Sequence, residues 1–171
     1  MRKSWSGSAE PHIRIANGVV AMDKKLAAPC GLYCGACGVY IATQENNEKL
    51  REKFARAFGV TPGQAYCAGC LSDDPESIFL YCRVCPIKSC AKEKKIEGCF
   101  QCGEFPCVKI ESFPIAEGKK VILRSVPRWR EIGTERWLEE EAARYSCPSC
   151  HVSLYRGARF CRNCKTELDQ G

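Results

Sequence analysis

Fifteen cysteines, most of them in CxxC pairs, constrain what this chain can fold into more than any other feature. They stand at Cys30, Cys34 and Cys37, then Cys67 and Cys70, then Cys82, Cys85 and Cys90. Cys99, Cys102 and Cys107 follow, and the tail carries Cys147, Cys150, Cys161 and Cys164. Thiols at this density form disulfides or bind metal. Disulfides need an oxidising compartment, which needs a secretion signal. The opening, MRKSWSGSAEPHIRIANGVVAMDKK, has no continuous apolar run and no clean cleavage pattern. No stretch approaches the ~20 apolar residues of a membrane span. The sequence therefore predicts reduced thiols in the cytoplasm, no membrane partner, and metal-ligating cysteines.

Composition points the same way. Apolar residues make up 45% of the chain, but the cysteines inflate that figure, and only 7 Phe, 6 Tyr, 3 Trp and 2 Met are available for a core. Ordering the backbone costs roughly 1–2 kcal/mol per residue, so so thin a core needs a staple, and structural metal supplies one. The formal charge of +6 counts each cysteine as a neutral thiol. Zinc held by four thiolates carries a net negative charge. Three such sites cancel the excess, leaving local basic patches rather than a basic protein.

Four segments follow from the pattern: a flexible N-terminal extension over 1–25, a cysteine-rich metal-binding domain over 26–116, a helical connector over 117–145 and a zinc ribbon over 146–171. Met22 is a plausible alternative start, and a strand over Ile13 to Val20 is the ordered alternative for the lead. Leu50, Phe54, Ala57 and Phe58 recur at helical spacing within Thr43 to Phe58, with Gly59 suited to cap that helix. Cys82, Cys85 and Cys90 are echoed by Cys99, Cys102 and Cys107 at a shift of 17 residues. Farther on, Val126, Trp129, Trp137 and Leu138 give the connector an apolar stripe, Pro127 marks a kink or a first turn, and Thr134 is a good N-cap. In the tail, Val152, Leu154 and Phe160 flank Arg156-Gly157 as a hairpin would. The expected fold is small and metal-stabilised, mainly α with irregular cysteine-rich loops, ending in a C-terminal β-hairpin zinc ribbon.

The cysteine count sharpens the chemistry. A CxxC pair curls so that both sulfurs converge, and two pairs complete a tetrahedron about zinc. The tail's Cys147, Cys150, Cys161 and Cys164 form one such site. Eleven cysteines remain, and only His12 and His151 could supplement them. One partition groups Cys67, Cys70, Cys82 and Cys85, then Cys90, Cys99, Cys102 and Cys107, leaving Cys30, Cys34 and Cys37 one ligand short. A cross-braced pairing is the alternative. The expected cofactor is zinc, three or more ions. An iron–sulfur or redox centre at Cys30, Cys34 and Cys37 is the alternative, since C-x3-C-x2-C is also a cluster spacing. No phosphate-binding loop, HExxH, deaminase motif or nucleophile elbow is present, so no catalytic residue is nominated.

At CGLYCGACGVYIAT, residues 30–43, the chain resembles an uncharacterised prokaryotic family, number 3795 among the domains of unknown function. The resemblance continues through CAGC at 67–70, CRVCPIKSC at 82–90 and CFQCGEFPC at 99–107. It departs at Gly38, where a proline is frequent, and at the long lead. It implies metal binding with no established activity. The leading functional expectation is a structural or adaptor protein with a protein partner. The alternative is nucleic-acid binding through the ribbon, with Arg156, Arg159, Arg162 and Lys165 on phosphates and Tyr155 and Phe160 stacking on bases.

Overall fold

The computed structural model describes the backbone of residues 13–16 and 19–169, and side chains from residue 23. Residues 1–12, 17 and 18 of the expected extension over 1–25 lie outside the described residues. Strands β1 (Ile13–Ala16) and β2 (Val19–Met22) pair antiparallel, Ile13 opposite Met22 and Ala16 opposite Val19. The rest is mainly helical. Helices α1 (Gly38–Gln44), α2 (Glu48–Phe58), α3 (Leu80–Arg83), α4 (Pro86–Glu93) and α5 (Val108–Glu111) alternate with cysteine loops. Helices α6 (Ala116–Ile132) and α7 (Thr134–Arg144) follow as a pair.

Local chemistry accounts for the helix boundaries. The helix expected from Thr43 is broken: α1 ends at Gln44 and α2 begins afresh after Asn47, whose side chain accepts from the Leu50 amide. Gly59 closes α2 in the left-handed conformation at φ 65°, as an αL cap requires. Pro86 occupies the first turn of α4, where its missing N–H is not needed. Pro127 lies inside α6, which runs through it to Ile132. Thr134 does not cap α7. Its hydroxyl instead accepts from the Trp129 indole at 3.0 Å, and Gly133 takes the N-cap position.

The core lies where α6 and α7 press on the cysteine loops. Phe100, Trp129 and Trp137 stack in series, with centroids 4.2 and 4.3 Å apart. Such aromatic contacts contribute about 0.5–1.5 kcal/mol each beyond their buried area. The Trp137 indole donates to Ser125 Oγ at 2.9 Å, and that hydroxyl donates to the Gly31 carbonyl at 2.7 Å. Gly31 holds φ 89°, and a Cβ there would fall 2.5 Å from Val126 Cγ2, so glycine is required on both counts. Arg130 donates to the carbonyls of Phe100 and Cys102, fixing the loop between those cysteines. Leu26, Tyr33, Ile87 and Ile110 complete the same core.

The tail corrects one expectation. Residues 146–169 contain no strand, so there is no C-terminal β-hairpin; the pairing is reduced to isolated bridges at Ser146–Ser153 and Phe160–Glu167. The turn at Arg156-Gly157 exists, with Ala158 N–H on the Tyr155 carbonyl at 3.1 Å. Its arms bond elsewhere. Leu154 donates to the Tyr145 carbonyl at 2.7 Å and Arg156 to the Ala36 carbonyl at 3.0 Å, so the first arm is spent on the helical body. The second arm bonds within its own loop. The Leu154 and Arg156 amides are therefore not available to a ladder between the arms.

Candidate metal centre

The tail's four cysteines sit on two copies of one local turn. Cys147 N–H bonds the Val152 carbonyl and His151 N–H bonds the Cys147 carbonyl; Cys161, Thr166 and Lys165 repeat both bonds. Both turns reverse through a left-handed residue, His151 at φ 58° and Lys165 at φ 63°. The reversal aims each pair of sulfurs at the other. Cys147 Sγ stands 3.5 Å from Cys164 Sγ, Cys150 Sγ stands 3.6 Å from Cys161 Sγ, and all four lie within 4.8 Å of one another. A tetrahedral ion with Zn–S bonds of about 2.3 Å sets its sulfurs about 3.8 Å apart, so the donor set fits one metal ion.

Electrostatics divide the four ligands. Hydrogen bonds from the Thr166 hydroxyl and backbone hold the Cys164 thiol down at about 6. The Val152 amide and the Asn163 side chain lower Cys150. Burial pushes Cys147 up to about 11. Part of the site is thiolate before a metal arrives, and the rest gives up its proton to the cation.

The remaining eleven cysteines are spread over two core clusters and a cavity lined by α4 and α5. Burial first, then Cys70, Cys37 and Cys67, raises Cys34; burial, then Cys37, Cys67, Cys34 and Cys85, raises Cys82. Burial also raises Cys67, beside Cys37, against amide hydrogen bonds from Phe79 and Gly69. Burial and then Cys30, Cys82 and Cys85 raise Cys70, while Cys30 is pushed up to about 11 by burial, with Cys85 adding. Cys99 is raised to about 12 by burial, with Cys30, Cys107, Cys102 and Cys90 adding. Thiols so buried resist ionisation unless a cation compensates the charge.

Cys67 and Cys82 pack in one cluster with Val39 and Phe79, whereas Cys70 and Cys85 pack on the main core with Cys30 and Cys34, and Cys37 touches both clusters. Cys90, Cys99, Cys102 and Cys107 do come together, lining one cavity of about 110 Å³ with Lys94 and Glu104 at its edge. Among the described residues, the tail's four are the set whose ligand atoms all meet within 4.8 Å. The 17-residue repeat is not a structural repeat: Cys85 caps α4, while Cys102 closes a 3-10 turn and Cys107 caps α5.

The basic residues of the tail have intrachain work. Arg162 pairs with Glu45 and donates to the Ser153 carbonyl at 3.1 Å. Arg156 Nη1 donates to the Tyr33 carbonyl at 2.8 Å, beside Cys34. Lys165 bonds the Arg162 carbonyl, and Tyr155 meets Phe54 edge-on at 5.2 Å. Arg159 and Phe160 are exposed. No motif forecast this docking role; the opposed charges Glu45 and Arg162 lie 117 residues apart and carry no local signal.

Fold and site together define a cysteine-rich, mainly helical protein with a four-thiol site able to hold a metal ion. Residues 26–112, half of the chain, match the family described as "Protein of unknown function (DUF3795)", and the chain belongs to it. The tail site, α6 and α7 fall beyond the matched segment but pack on it. Comparison with curated proteins and with solved structures gave no match. Among the described residues, no helix is long and apolar enough to cross a membrane.

Proposed function

We propose that the chain is a zinc-binding structural adaptor of the cytoplasm, in which zinc at Cys147, Cys150, Cys161 and Cys164 fixes the tail to the family domain and the assembled body engages a protein partner. The observation that carries the metal reading is the convergence of these four sulfurs to single-ion distances. A closed four-thiolate site leaves no open coordination position, which suits scaffolding rather than catalysis. Support for a partner comes from exposed apolar side chains on the short helices, chiefly Tyr81 (51% exposed) and Val84 (78% exposed) on and just after α3. Tyr81 is propped outward by Phe58 and Phe79, at 6.2 and 5.4 Å between centroids. A rigid aromatic held at the surface is the kind of anchor that interfaces use.

Two measurements test this reading. Native mass spectrometry of the purified chain should show zinc bound to the tail, lost in Cys150→Ser. Cross-linking in cells, with the partner identified and then purified, should give a complex that Tyr81→Ser with Val84→Ser weakens at least tenfold while zinc content holds. A tail that binds no zinc, or a complex indifferent to both substitutions, rejects the corresponding half of the reading.

A further inference from the structure

The cavity among Cys90, Cys99, Cys102 and Cys107 differs in kind from the tail site. Its walls are largely apolar, formed by Ile87 and Ala91 of α4, Ile96, and Val108 and Ile110 of α5, with Lys94, Glu104 and Lys109 also lining it. Its volume of about 110 Å³ is several times what one water molecule needs, roughly 10–15 Å³ on the same measure. A lone ion gripped by four sulfurs leaves no such space. The sulfurs around it also stand apart, since among the described residues no set other than the tail's brings three ligand atoms within 4.8 Å of one another. The tail is the internal standard: where this chain builds a one-ion site, the sulfurs close to 3.5 and 3.6 Å.

We propose that this cavity seats a cubane [4Fe–4S] cluster, each of the four cysteines ligating a different iron. A cluster sets its thiolates farther apart than one ion does, because each binds a separate corner of the cube. Lys94 stands at its edge, Nζ 3.7 Å from Cys102 Sγ and 2.7 Å from Glu104 Oε1. A cationic donor against a ligand sulfur offsets the negative charge of the cluster and raises its reduction potential. Arg130 fixes this geometry from α6 through the Phe100 and Cys102 carbonyls. The cluster is independent of the tail's zinc.

The test uses the full chain, purified without oxygen or reconstituted with ferrous iron and sulfide. The expected result is iron and acid-labile sulfide in equal amounts, with the broad visible absorption and reduced-state EPR signal of a cluster. Cys102→Ala with Cys107→Ala should remove one cluster's worth of both, whereas Cys150→Ser should remove zinc and leave iron and sulfide unchanged. Zinc at these thiols with no sulfide overturns the proposal, as does a Cys102, Cys107 double variant that keeps its full iron. Lys94→Gln, which leaves every ligand in place, guards against misfolding. It should keep the cluster and shift its midpoint potential to lower values, with Lys94→Arg restoring part of the shift; an unmoved potential removes the cluster from this cavity.

Discussion

Ser125 shows how much one small side chain can hold. It is fully buried on α6, donates to the Gly31 carbonyl and accepts from the Trp137 indole. One hydroxyl therefore joins α6, α7 and the loop that carries Cys30. Replacing it leaves both partners buried without a bond, and an unsatisfied buried group costs about 1–3 kcal/mol. Ser125→Ala is expected to lower the unfolding free energy by about 2 kcal/mol, read from urea denaturation of the metal-loaded protein. A change below the error of the fit contradicts this account. At the same scale, Gly59 was legible as a cap because its role depends on residues next to it. Thr134 was misread because the Trp129 indole that claims its hydroxyl reaches it only through the turn between α6 and α7.

At the scale of elements, the α6–α7 pair is locked by charge as well as by stacked indoles. Glu141 is 2% exposed and accepts both guanidinium nitrogens of Arg124, at 2.7 and 3.0 Å, with Arg144 at 3.3 Å. Removing Arg124 leaves this buried carboxylate with Arg144 alone; stranding a buried charge outright costs about 3–5 kcal/mol, whereas replacing both partners with apolar groups is often neutral. Arg124 is a third exposed on its side chain, so the lower end of that range applies. Arg124→Met should destabilise by about 3 kcal/mol, and Arg124→Met with Glu141→Leu should recover most of the loss. Chemical denaturation of the single and double variants checks both outcomes; no recovery in the double variant means the carboxylate was not the source of the loss. The exposed pairs on these helices, such as Lys120 with Glu117, contribute little by comparison.

At the scale of the molecule, the tail is tied to the family domain by Arg162 with Glu45, by Arg156 with the Tyr33 carbonyl and by Leu154 with the Tyr145 carbonyl. On the zinc reading proposed above, these contacts need the knuckles folded, and the knuckles need their metal. Chelation is therefore expected to open the tail, with trypsin cutting at Arg156 and Arg159 in the stripped protein and sparing them in the loaded one. Equal cleavage with and without metal would separate the tail's fold from its ion. Acid should act in the same direction. Cys147 has its thiol raised by burial to about 11 and must release a proton on binding, while Cys164, held at about 6, is already thiolate at neutral pH. Zinc affinity at the tail should fall as pH falls, because protons compete for the ligands; a competition titration at about pH 8 and pH 6 measures the slope.

The sequence by itself determined that cysteine governs this chain, that the helices dominate, and which four residues close the tail site. Each of those rests on local spacing: two thiols three residues apart face one ion whatever the rest of the chain does. It also placed Cys90, Cys99, Cys102 and Cys107 together. Only the tertiary structure decided which core each of the other cysteines packs in, because Cys67 and Cys70, or Cys82 and Cys85, lie three residues apart in sequence yet join different clusters. Only the tertiary structure withdrew the hairpin from the tail, since the backbone groups a ladder would use are taken by Tyr145 and Ala36, residues the sequence does not mark as neighbours. Local chemistry is written in spacing; the choice among competing partners depends on packing between segments far apart in the chain, and that was settled by α6 and α7 closing over the thiols.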